Sequence, residues 1–109
     1  MDDLFLGPKR TYEDFKKQIP VSVLPLFDSL RKHCLSLGAN VVEDVRAHRI
    51  VFGKSLSFRW FADLEPVEDS IIIKIQKDRK EPFQTIIIKS EQGLDAITKS
   101  ISDAYSIIH

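Results

Sequence analysis

The sequence holds a single cysteine, Cys34, in 109 residues. An intrachain disulfide framework is therefore excluded, and a reducing, cytoplasmic compartment is the simplest expectation. It also lacks an excess of either charge: 16 Lys and Arg offset 16 Asp and Glu. No overall field draws such a chain toward nucleic acid or an anionic membrane, so any polyanion site must be local. No uncharged apolar run approaches the roughly 20 residues that span a bilayer. The segment from Met1 to Pro8 is acidic where an export signal is basic, so membrane contact is not expected. There is no glycine-rich phosphate loop, no metal-ligand series and no nucleophile motif, so no cofactor, metal or catalytic residue is implied. What is present is 43% hydrophobic and 29% charged residues, the composition of a chain that builds a core. One α+β domain over 1–109 is expected, with 1–10 poorly ordered.

The pattern along the chain supplies the elements. Thr11 followed by Asp14 reads as a helix cap, opening a short helix that Ile19-Pro20 closes. From Val23 to Leu37 the residues Leu26, Phe27, Leu30, Cys34 and Leu37 share one helical face. Gly38 suits the left-handed residue that closes such a helix. Val41 to Val45 reads as a helical turn, Arg49 to Phe52 as a strand and Gly53-Lys54 as a tight turn. From Ser55 to Leu64 a period of two puts Leu56, Phe58, Trp60, Ala62 and Leu64 inward and Ser57, Arg59, Phe61 and Asp63 outward. Glu65 to Ser70 reads as a turn, Ile71 to Gln76 as a strand with its odd positions inward, Lys77 to Pro82 as a loop, and Phe83 to Lys89 as a last strand. Ser90 is placed to cap a final helix whose stripe is Leu94, Ile97, Ile101, Ala104, Tyr105 and Ile108. The expected order is α-α-β-β-β-β-α: an antiparallel four-stranded meander with its helices on one face.

Leu26-Phe27-Asp28-Ser29-Leu30-Arg31, Leu35-Ser36-Leu37-Gly38, Ile50-Val51-Phe52-Gly53-Lys54 with Phe58, and the stretch Leu94 to Tyr105 together resemble the DUF5655 family. This is a small bacterial and archaeal domain of unknown function, in places described as a predicted transport protein. The likeness runs from about Leu24 to Ile108 and implies a compact α+β fold. Some relatives are joined to domains of restriction or nuclease systems. The sequence departs from the family between its last two strands, where members carry a longer stretch bearing glycine and histidine and this chain has only Lys77 to Pro82. The resemblance brings no catalytic residue with it.

Several side-chain groupings invite a chemical reading. Cys34 and His33, adjacent on a helix, point about 100° apart and cannot pair as nucleophile and base, and Cys34 lies on the apolar stripe. Asp44 and His48, four apart, would share a face if both were helical, as an exposed pair or a two-ligand clasp; two ligands do not make a zinc site. Asp63, Glu65 and Lys74 group like the acids and lysine of a metal-dependent nuclease, although Pro66 suggests that the strand ends at Glu65. The outward face offers Arg59, Phe61, Lys74 and Gln76 as candidate binding residues, beside Ser57 and Ile72. Cations and an aromatic on one sheet surface fit a protein partner or a second copy of the chain, a single-stranded nucleic acid, or a plain solvated face. A non-enzymatic binding module is the leading expectation, with a nucleic-acid-associated, nuclease-like domain as the alternative.

Overall fold

The computed structural model describes residues 10–54, 59–78 and 80–108; the expectations for 1–9 and for Leu56, Ser57 and Phe58 fall outside them. Helix α1 (Tyr12–Lys16) begins as its sequence dictates, with the Thr11 hydroxyl accepting from the Asp14 N–H at 3.2 Å. Helix α2 (Leu24–Ser36) carries Pro25 in its first turn and buries Leu26, Phe27, Leu30 and Cys34. Gly38, beyond its end, is not left-handed; among the described residues only Gly93 and Glu68 have positive φ. Its lack of a side chain serves a close approach. A Cβ there would stand 2.2 Å from the Tyr105 hydroxyl, which is held by its 2.6 Å hydrogen bond to Asn40 Oδ1. Replacing Gly38 with alanine is therefore expected to destabilise the fold by about 1–3 kcal/mol. Tyr105→Phe should recover part of that loss, as a double-mutant cycle in urea would show.

Five strands follow: β1 (Val41–Val45), β2 (Ile50–Lys54), β3 (Trp60–Val67), β4 (Ser70–Ile75) and β5 (Gln84–Ile88). They pair antiparallel in sequence order. The meander is as expected, with one strand more than the four predicted. Val41 to Val45 is a strand rather than a helical turn. Its alternation is disguised because the inward position opposite Phe52 is Glu43, a charge that α2 satisfies by presenting Arg31, whose Nε donates to Glu43 Oε2 at 2.5 Å. Gly53-Lys54 belongs to β2 and is not a turn. Strand β3 runs on through Glu65 and Pro66 to Val67. Pro66 is tolerated because it lies past the last β2 partnership, Ile50 with Leu64, where one side of β3 has no neighbour to bond. The reversal is confined to Glu68-Asp69, with Glu68 at φ 54°.

The core lies between one sheet face and the helices. Ile50, Phe52, Ala62, Leu64, Ile71, Ile73, Ile75 and Ile88 meet α2 and helix α3 (Leu94–Ile107), whose Ile97, Ile101 and Ala104 are buried. Helix α1 packs on α2 through Tyr12 and Phe15 against Phe27. The N-cap of α3 is Gly93, not Ser90; the Ser90 hydroxyl accepts instead from the Gln92 N–H in the preceding turn. No helix among the described residues is long and apolar enough to cross a membrane.

Candidate functional site on the outer face of the sheet

Cross-strand partners share a face, so the register fixes what the sheet shows away from the helices. One transverse row is Asp44, Val51, Asp63, Lys74 and Thr85, one residue from each strand. A second, beside it, is Glu65, Ile72 and Ile87. Lys74 thus stands where the sequence placed it, outward and half-buried between the inward Ile73 and Ile75.

Phe61 does not. Phe52 pairs with Ala62 but Gly53 pairs with Trp60, so Phe61 is an extra residue with no partner in β2. Such a bulge turns two consecutive side chains the same way. Phe61 joins Ala62 in the core, fully buried and edge-on to Tyr105 on α3 at 5.3 Å. Trp60, expected in the core, is the residue expelled: it is half-buried, its ring 5.9 Å from that of Phe83 on the approach to β5. Lys74 Nζ lies 5.4 Å from the Phe83 ring, within cation–π range. The aromatic element of the outer face is therefore Trp60 with Phe83. Arg59 and Gln76 are half-buried and flank β3 and β4. The Arg59 carbonyl accepts from the Lys54 N–H, and the Gln76 N–H donates to the Phe61 carbonyl, so their backbones close the bulged end of the sheet.

The middle of the face is a charge network that the sequence disclosed only in part. Asp63 and Glu65 do share a side of β3 with Lys74 across from Asp63, but Arg49, entering from the start of β2, claims both acids. Its Nη1 is 3.3 Å from Asp63 Oδ2 and its Nη2 3.1 Å from Glu65 Oε1. Asp63 Oδ1 is buried and accepts no hydrogen bond among the described residues. Burial pushes the Asp63 carboxyl above the usual carboxylate range, opposed first by Arg49 and then by Lys74, with Glu65 adding to the rise. Two acids already engaged by one guanidinium are poorly disposed to hold Mg²⁺. Among the described residues no group of three or more potential ligands is gathered anywhere.

The remaining groupings resolve into structure. Burial pushes the Cys34 thiol up to about 12, so it stays protonated and unreactive at neutral pH. The His33 Nε2–H faces the Thr98 carbonyl at 3.0 Å and the Ser102 hydroxyl at 2.8 Å, tying α2 to α3. Asp44 and His48 are on a strand and in a loop rather than on one helix, and Asp44 accepts from Arg46 at 2.9 Å.

Sequence reasoning missed Trp60, Phe83 and Arg49. The Trp60-Phe61 dyad holds two large aromatics of which a strand can bury only one per face, and that was the available hint. Comparison with family models, with curated proteins and with solved structures returns no match.

Proposed function

We propose that this domain is a non-enzymatic binding module whose outer sheet face takes a protein partner through Trp60, Ile72, Lys74 and Phe83, with Arg59 and Gln76 at its rim. The observation that carries the reading is the composition of that face. The helices cover the other side of the sheet, while here Trp60 packs on Phe83, which is 46% exposed, and the same face carries Ile87, 63% exposed, further along β5. Aromatic side chains flanked by polar ones are the usual content of interface anchors. Arg49 and Lys74 set against Asp44, Asp63 and Glu65 give a mixed-sign surface, which favours a protein over the uniform negative charge of a nucleic acid. The kinship with DUF5655 forms part of this proposal as a likeness of fold; it assigns no residue to the face.

The reading is tested by affinity capture from an extract of the source cells, comparing the native chain with a Trp60→Ser/Phe83→Ser variant and with Lys99→Ala on α3 as a control. Proteins retained by the native chain and the control but lost from the face variant are expected. Retention of every captured protein by the face variant would refute the proposal. Tight, steeply salt-dependent binding of a dT12 oligonucleotide, read through Trp60 fluorescence, would replace it with the nucleic-acid alternative.

A further inference from the structure

The two edges of the sheet are built differently. Strand β1 carries Glu43 and Asp44, both ion-paired, one of them to the helix layer, and charges on an edge strand discourage pairing with another chain. Strand β5, Gln84-Thr85-Ile86-Ile87-Ile88, carries no charge, no proline and no bulge, and its register against β4 is unbroken from Ile71–Ile88 to Ile75–Gln84. No described strand lies beyond it. Gln84, Thr85 and Ile87 are exposed, and Ile86 is covered only in part. A strand rich in isoleucine with an open row of backbone groups is a template for one more strand.

We infer that the β5 edge takes the β5 edge of a second copy of this chain, joining two sheets antiparallel across a twofold axis. The inference rests on reading the outer face as an interaction surface and names one occupant of its border. Self-complementarity is the reason for choosing a second copy. With the axis at Thr85, face-preserving pairing sets Phe83 of each copy against Ile87 of the other, covering the two large exposed side chains of this edge. The chain has no net charge, so two copies do not repel at long range. A joint made from one short strand per copy is smaller than a stable dimer interface, so the association is weak and reversible.

Sedimentation equilibrium over a concentration series tests this, starting from a monomer of 12.5 kDa. The weight-average mass of the native chain is expected to rise toward that of a dimer in the upper micromolar range, with the β5 amides gaining protection from hydrogen exchange as it does so. Ile87→Lys, at an exposed position, should weaken association by roughly tenfold or more. A monomer at every concentration, or an association indifferent to Ile87→Lys, would each overturn the inference. Trp60→Ser/Phe83→Ser losing its captured proteins while the native chain stays monomeric would leave the binding reading standing and remove only the dimer.

Discussion

Replacing Phe61 with alanine is expected to cost about 3–5 kcal/mol, the range for deleting a fully buried aromatic, whereas Trp60→Ala should cost only about 1 kcal/mol, as for a partly exposed site. The contrast follows from the bulge: Phe61 is fully buried edge-on to Tyr105, while Trp60 leans on Phe83 toward the surface. Urea denaturation of both variants, with unchanged slopes, measures the two costs. The opposite ranking would mean that β3 keeps strict alternation and that the aromatic surface of the outer face does not exist. Trp60 is the single tryptophan, so fluorescence gives a second check. Acrylamide should quench the native protein readily and the Phe83→Ser variant more readily still.

The second large effect concerns Arg49. Arg49→Leu removes the hydrogen-bonded partner that Asp63, 8% exposed, has among the described residues, and leaves its carboxylate facing the more distant Lys74 and the like charge of Glu65. Breaking a buried ion pair on one side costs about 3–5 kcal/mol; Arg49 is one-third exposed, so about 2–3 kcal/mol is expected at pH 7. Asp63→Leu in the same background should restore most of it, because the cost lies in the orphaned charge rather than in the lost contact. The pH dependence has a definite sign. The Asp63 carboxyl is raised above its unfolded value, so the folded state holds the proton more tightly. The stability this group contributes is fully present below the unfolded pKa and is lost as pH rises through the folded one. Removing Arg49 takes away the strongest influence opposing the rise. The Arg49→Leu deficit should therefore shrink as pH is lowered from 7 toward the carboxylate range, and the Asp63→Leu/Arg49→Leu pair should lack that recovery. A deficit independent of pH would show that Arg49 acts through packing alone.

These expectations also show where sequence patterning stops. Helices α2 and α3 were legible because each repeats apolar residues at helical spacing over several turns, and α1, only five residues long, was legible from its Thr11 cap. The inward isoleucines of β4 were legible for the same reason, at a period of two. Strand β1 was not, because its inward Glu43 breaks the alternation and is made tolerable only by Arg31, twelve residues earlier. The candidate site suffered most. Lys74 was found, since nothing disturbs the period of β4, and Asp63 with it. The aromatic partner was misassigned by one residue, because a single inserted residue reverses the alternation on one side of it.

Composition and periodicity determined that this chain forms one sheet with its helices on one side and an outer face mixing cations, acids and apolar groups. Local preferences act over a few residues, and each of those features repeats often enough to survive single exceptions. Whether Trp60 or Phe61 turns outward, and which cation meets Asp63, was decided only when β2, β3 and α3 packed. Phe61 goes inward because Tyr105 and the core offer a space for it, and Arg49 meets Asp63 and Glu65 because the β2–β3 register carries it there. Those choices depend on partners up to 44 residues away along the chain, and no local pattern encodes them.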